Sequence, residues 1–137
     1  MASKSDYLEN KILDHALGKT AFTMPAVVAM ALCTVIPTDA STGATLTEAT
    51  YTTYARKTLT PASDLNAAAS GTSTNALAIT FAACTAGSST IVGFAICDSA
   101  TISAGNVLYW GTTTSKVIDV NNTPPTIAVS GLSVSED

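Results

Sequence analysis

The stretch from Thr58 to Ser115 contains no basic side chain, and its only charged residues are Asp64 and Asp98. Thr, Ser, Ala and larger apolar residues make up most of the rest. About a quarter of the residues in a typical soluble domain are charged, whereas in this chain 12% are. Much of the exterior must therefore be neutral or covered by a neighbour, which indicates an assembly protein rather than an enzyme.

The length of 137 residues fits one domain, which can bury about two thirds of its unfolded surface without a disulfide or a metal. The longest uncharged stretches are broken by Thr, Ser, Asn, Gly and Pro, so no membrane span is predicted. The polar N-terminus lacks the pattern of a secretory signal, and we expect the protein to fold in the cytoplasm. The net charge of −4 argues against nucleic acid as a partner.

Three cysteines, Cys33, Cys84 and Cys97, are widely separated in the sequence. Their spacings match neither a zinc knuckle nor a redox motif. Cys33 and Cys97 lie inside apolar, strand-like runs, which favours reduced, buried thiols that pack as small hydrophobic side chains. No cofactor and no metal site is therefore predicted.

A short amphipathic helix is predicted at the N-terminus. Ser5 or Asp6 is a suitable cap, with Glu9 three residues after Asp6, and Gly18 supplies an end. Apolar residues recur close to the helical period across this segment. We assign residues 1–20 to an N-terminal helical arm, which serves either as a lid on the domain or as a clasp on a neighbouring subunit.

Residues 21–137 are predicted to form one β-sandwich domain, because turn signals recur between short apolar and β-branched runs. The fold class is all-β, an antiparallel β-sandwich or jelly roll of about seven or eight strands with one short N-terminal helix. Gly93 is a site for a bulge, and the segment TTTS is read as a turn between two strands. The predicted strands are Val27–Val35, Tyr51–Leu59, Asn75–Phe81, Ile91–Asp98, Val107–Gly111, Lys116–Val120 and Thr126–Val134.

Catalytic chemistry has little support in the sequence. The single histidine, His15, lies near the end of the predicted helix, where it complements the helix dipole. Five acidic residues lie in predicted loops or at strand ends. Hydrogen bonds within turns explain them better than a role as the general acid and base of a glycoside hydrolase. The five residues are Asp39, Glu48, Asp64, Asp98 and Asp119. Asp119 with the two asparagines that follow lacks the remaining ligands of a calcium loop.

Five residues are the interface candidates: Tyr7, Leu8 and Ile12 on the helix, and Tyr109 and Trp110 on a strand. Adjacent strand residues face opposite sides, so Tyr109 and Trp110 cannot both point into one core. One interpretation is that both simply pack within the fold. The other is that the outward member anchors a partner, because Trp and Tyr are enriched in interface hot spots.

Three segments resemble a family of small tailed-bacteriophage virion proteins: SKSDYLENKILDHALG at 3–18, PAVVAMALCT at 25–34 and VLYWGTTTSKVI at 107–118. Genomes often label members of this family as tail-fibre-like. The resemblance implies a small β-sandwich or jelly roll that serves as a head decoration, or cement, protein on the outside of an expanded capsid.

The leading hypothesis is a non-enzymatic virion structural protein that binds the capsid exterior and stabilises the shell. Its expected partners are the major capsid protein and itself, as a dimer or trimer, with no nucleic acid and no membrane. The alternative is a tail or tail-fibre component that contacts other tail proteins or a host surface glycan. A hydrolase is the third and weakest hypothesis.

Overall fold

The computed structural model describes residues 2–122 and 124–136. Met1, which belongs to the predicted arm, and Thr123 and Asp137 of the predicted domain lie outside the described residues. Within the described residues the chain forms nine strands and two helices. They are β1 (Ala2–Lys4), α1 (Asp6–Ala16), β2 (Val28–Cys33), β3 (Lys57–Leu59), α2 (Pro61–Asp64), β4 (Thr72–Thr74), β5 (Ile79–Thr80), β6 (Ser88–Cys97), β7 (Val107–Asp119), β8 (Thr126–Ile127) and β9 (Ser133–Ser135).

Seven strands form one curled sheet in the order β3-β2-β6-β7-β1-β9-β4, and β5 pairs with β8 in a small second sheet. The prediction of an all-β sandwich with one short N-terminal helix is confirmed. The pairing is antiparallel except between β1 and β9, where Ala2 is the parallel partner of Val134. The one-turn helix α2 was not predicted.

Both faces of the large sheet are covered, as the apolar character of β2 predicts. The larger set of packed side chains, here called the main core, includes Met30, Leu32 and Ile96. On the opposite face a smaller set of short side chains forms the second core. The second core consists of Ala31, Cys33, Ala95, Cys97 and Val107, with Leu46 and Trp110 packed against it.

Strands β6 and β7 form a long hairpin in which β7 is continuous from Val107 to Asp119. The predicted turn at TTTS is therefore wrong. Ile91 pairs with Lys116 and Gly93 pairs with Thr112, so three residues of β7 lie opposite one residue of β6. This is a β-bulge, which bends a strand without ending it. The irregularity predicted at Gly93 is confirmed, but the extra residues are on β7.

The predicted strand Tyr51–Leu59 is largely wrong, because only Lys57–Leu59 pairs with β2. Tyr51 instead lies in a turn, where its ring is buried against the ring of Tyr54 with centroids 5.5 Å apart. Within this predicted strand Arg56 is buried, whereas the adjacent Lys57 is exposed.

The predicted strands at residues 75–81 and 126–134 are mostly loop. Ile79–Thr80 pairs with Thr126–Ile127, and Ser133 and Val134 belong to β9. Buried Asn75 holds this region together. Its Nδ2 donates to the backbone oxygens of Leu77 and Ala128, and its Oδ1 accepts from the N–H of Leu132 at 2.8 Å. Side-chain hydrogen bonds thus replace a ladder here.

The predicted helix is present as α1, with Ser5 as its cap. The hydroxyl of Ser5 accepts from the N–H of Leu8 and also donates to the backbone oxygen of Val107. Gly18 adopts a φ of 71° just after the helix, a conformation that glycine favours. None of the described helices is long and apolar enough to cross a membrane.

Candidate interaction surface

The three helix candidates have different environments on α1. Leu8 is buried against the main core, with 4% of its surface exposed. Tyr7 packs against the same core, and the ammonium of Lys11 lies 5.7 Å from the centre of its ring. Ile12 is 37% exposed. Leu8 therefore anchors the helix, while Ile12 is accessible to a partner.

Tyr109 and Trp110 lie on opposite faces of β7, against the main core and the second core respectively. The indole Nε1 of Trp110 donates to the backbone oxygen of Lys4 at 3.2 Å and to Oδ1 of Asp39 at 3.1 Å. The hydroxyl of Tyr109 donates to Oε1 of Glu136 at 2.6 Å. Both aromatic residues have partners within the chain, and a role for either at an interface stays a prediction.

A groove of about 320 Å³ lies between α1 and the large sheet and is here called the helix groove. Leu8, Ile12 and Tyr109, three of the five predicted interface residues, line it. The described residues of its lining are apolar or carry a hydroxyl, and none is charged. Its other walls include Phe22, Val28, Ile96, Leu108, Leu132 and Val134. Such a groove suits an apolar side chain of a partner.

Large apolar side chains are exposed along α1 and the segment that follows it. Leu17 is 80% exposed and Met24 is 85% exposed, while Leu13 is 57% exposed. Ile12 and Val27, at the two ends of this stretch, are also partly exposed. We call residues 12–27 the apolar segment. The sequence predicted an amphipathic helix, but it did not predict that Leu13 and Leu17 stay outside the core.

Arg56 and Glu48 form a buried ion pair that the sequence did not predict. Nη2 of Arg56 donates to Oε1 of Glu48 at 2.7 Å, and both side chains are almost fully out of water. Nη1 donates to the backbone oxygens of Ser99 and Ala104, and the hydroxyl of Tyr54 donates to Oε2 of Glu48 at 2.8 Å. The available signal was that Arg56 is the only arginine of the chain.

All five acidic residues that the sequence assigned to turn hydrogen bonds accept hydrogen bonds within the chain, Glu48 from Arg56 and Tyr54. The other pairs are Asp39 with the indole of Trp110, Asp64 with the N–H of Thr60, Asp98 with the N–H of Asn106, and Asp119 with the N–H of Asn121. The contacts of Asp64, Asp98 and Asp119 lie within loops and turns, as predicted, whereas Asp39 contacts a side chain of strand β7. No group of three or more metal-binding side chains occurs among residues 2–122 and 124–136.

The three cysteines are free and buried, as predicted. Burial raises the pKa of Cys33 to about 12, and the nearby charge of Glu48 adds to this effect. Burial likewise raises the pKa of Cys97 to about 11. Because the thiolate is the reactive form, neither residue has the character of a nucleophile or a metal ligand at neutral pH.

The chain matches a known protein family over most of its length. Residues 3–135 match the family model Gp80, described as Podophage GP4 fiber I protein gp80. No curated protein matches the chain significantly. The matched region includes the helix, the helix groove and the buried ion pair.

Proposed function

The chain belongs to the podophage GP4 fiber I protein gp80 family and is a phage virion structural protein, and on this premise we propose that it is a component of a tail fibre. In this proposal it acts by non-covalent binding alone and attaches to neighbouring virion proteins through the apolar segment and the helix groove.

The exposure of the apolar segment is the observation that carries the proposal. Burial of a large apolar side chain stabilises a complex by about 1.5–3 kcal/mol. Leu13, Leu17 and Met24 are more than half exposed and lie close together in the sequence, so the isolated chain does not use this energy. An exposed group of apolar side chains is typical of a protein interaction site.

Neutral hydroxyl side chains give further support. The residues from Thr112 to Val117 on β7 are all exposed, and Lys116 is the only charged residue among them. Removing a hydroxyl group from water costs less free energy than removing a charged group does. A neighbouring subunit can therefore cover a surface of this composition with a small desolvation penalty.

The proposal assigns no chemical reaction to the chain. Glu48, which the sequence assigned to turn hydrogen bonding, is paired with Arg56 and accepts a hydrogen bond from Tyr54. The contacts of Glu48 therefore support a structural role. Removing it would leave the buried guanidinium of Arg56 without its charge partner.

Location in the particle tests the proposal directly. The virion proteins would be quantified by mass spectrometry with labelled peptide standards, and the chain located by gold-labelled antibody in electron micrographs. A tail fibre component should give about a dozen copies or a small multiple and label at the tail. Hundreds of copies and label over the head would overturn the proposal and favour the capsid-decoration hypothesis.

Matched variants test the binding surface. Phage lacking the gene would be complemented during infection with the native chain, L13S, L17S or V129S. Leu13 and Val129 have the same exposed fraction, 57%, but only Leu13 belongs to the apolar segment. L13S and L17S should be incorporated less into particles, and V129S should be incorporated normally. Normal incorporation of all three variants would overturn the assignment of this surface.

A further inference from the structure

Strand β1 fills a slot inside the large sheet. It lies between β7 and β9, so it is the strand that joins β3-β2-β6-β7 to β9-β4. Its pairing with β7 is antiparallel, with Ser3 opposite Trp110 and Lys4 opposite Tyr109. Displacement of β1 would expose the edges of β7 and β9, and unpaired strand edges bind another strand readily.

The slot makes specific contacts with the residues that fill it. The N–H of Ser5 donates to the backbone oxygen of Leu108 at 3.0 Å, and the N–H of Asp6 donates to the backbone oxygen of Asp39 at 2.9 Å. Lys4 pairs with Glu136 near the C-terminus. The Lys4–Glu136 pair depends on the side chains present, and every copy of this chain carries both of them.

The connection from α1 to β2 is long, and its hydrogen bonds are mostly to α1 itself, while Phe22 packs against the main core. Residues 17–27 contain no helix or strand. Residues 23–26 have no hydrogen-bond partner within the described part of the chain. Eleven extended residues reach about 36 Å, which is enough to cross from one subunit to a neighbour.

We propose that residues 2–16 are exchanged between copies of this chain, so that β1 and α1 of one copy fill the slot of a second copy. Exchange forms the same contacts between two chains that the monomer forms within one chain. The free-energy cost of exchange is therefore limited to rearranging the linker and to bringing two chains together. The linker would then run between two subunits, and its exposed residues Leu17 and Met24 would lie at that junction. Burial of those side chains favours exchange over the closed monomer.

This inference concerns contacts between copies and does not depend on the position of the protein in the particle. Chains that exchange the segment but label on the head would overturn the tail-fibre proposal and leave the exchange intact. Label on the tail without exchange would overturn the exchange and leave the tail-fibre proposal intact.

Cysteine cross-linking of the full chain tests the exchange. The variant K4C/Y109C places thiols at paired positions of β1 and β7. After oxidation at high protein concentration, non-reducing electrophoresis should show a shift from 13.9 kDa to twice that mass or to a ladder. Oxidation of dilute protein should reduce the fraction of cross-linked dimer.

The control variant is T80C/T126C, because these partners on β5 and β8 lie outside the exchanged segment and should give only monomers. If K4C/Y109C does not fold, A2C/V134C reports on the other side of the slot. Exclusively intrachain disulfides in concentrated protein and in purified virions would overturn the exchange.

Discussion

The guanidinium of Arg56 donates to the carboxylate of Glu48 at 2.7 Å in a site where the Arg56 side chain has no exposed surface. Arg56 also donates to the backbone oxygens of Gly43, Ser99 and Ala104. One side chain therefore connects the segment before β3 to the loop between β6 and β7. Within residues 2–122 and 124–136, no buried side-chain nitrogen or oxygen lacks a hydrogen-bond partner.

Replacement of Arg56 by alanine should destabilise the fold strongly. The change leaves the carboxylate of Glu48 buried without its charge partner, and such a change costs about 3–5 kcal/mol. Urea unfolding followed by tryptophan fluorescence would measure the loss. Lys57 is the adjacent residue but is exposed, so K57A should change the free energy of unfolding by about 0.5 kcal/mol or less. Equal losses in R56A and K57A would contradict the role given to the ion pair.

The contrast between Arg56 and α1 shows what the sequence could predict. Local signals, a cap at Ser5, a helical apolar period and Gly18, predicted α1 correctly because they act within a single short segment. The burial of Arg56 was not predicted, because a charged side chain alone favours water. Its burial depends on Glu48 and on backbone oxygens far along the chain, at Ser99 and Ala104. No local pattern contains that information.

Strand β7 gives a second example. Four small polar residues, TTTS, interrupt the apolar alternation, and the sequence predicted a turn where the structure has a bulge. A turn and a bulge give the same local signal, and only pairing with β6 distinguishes them. For the candidate surface, the pattern identified Leu8, Ile12 and Tyr109 of the helix groove. It missed the exposure of Leu13, Leu17 and Met24, because the degree to which a helix docks is a tertiary property.

The cap residue Ser5 should be important for the N-terminal segment. S5A removes the acceptor for the N–H of Leu8 and the donor to the buried backbone oxygen of Val107. We expect a loss of about 1–2 kcal/mol in the free energy of unfolding. The control is S3A, because Ser3 is exposed on β1. If S5A and S3A unfold at the same urea concentration, the cap contributes no stability.

Gly43 should not tolerate a methyl group. A Cβ at this position would lie 2.0 Å from the backbone oxygen of Ala104. That oxygen also accepts from Arg56, so the overlap would disturb the ion-pair region, and we expect G43A to cost about 3 kcal/mol. Gly18 has a positive φ but no atom within 4 Å of its would-be Cβ, so G18A should cost about 1 kcal/mol from backbone strain alone. A smaller loss in G43A than in G18A would contradict the steric argument.

Acid should weaken the contacts that hold β1. Burial opposes the ionisation of Glu136, but hydrogen bonds from Lys4 and Tyr109 outweigh it and lower the pKa of Glu136. Ionised Glu136 therefore stabilises the fold above the usual carboxyl pKa of about 4.3, and this contribution is lost as the pH falls through the lowered folded-state value. Unfolding free energies of the native chain and E136Q should differ at neutral pH and converge as the pH falls through the lowered pKa of folded Glu136. A constant difference over that range would contradict the linkage.

The cysteines should resist labelling until the chain unfolds. Burial raises the pKa of Cys33 to about 12 and that of Cys97 to about 11, so little thiolate is present at about pH 8, and the sheet also blocks access to both thiols. Cys84 is buried as well. A disulfide reagent that releases a coloured thiolate should therefore react slowly with native protein and stoichiometrically with three thiols in guanidinium chloride. The variant C84S should lower the unfolded count by one and leave the native rate unchanged. Rapid reaction of a native thiol would show that a cysteine is accessible and that the cores described here open readily.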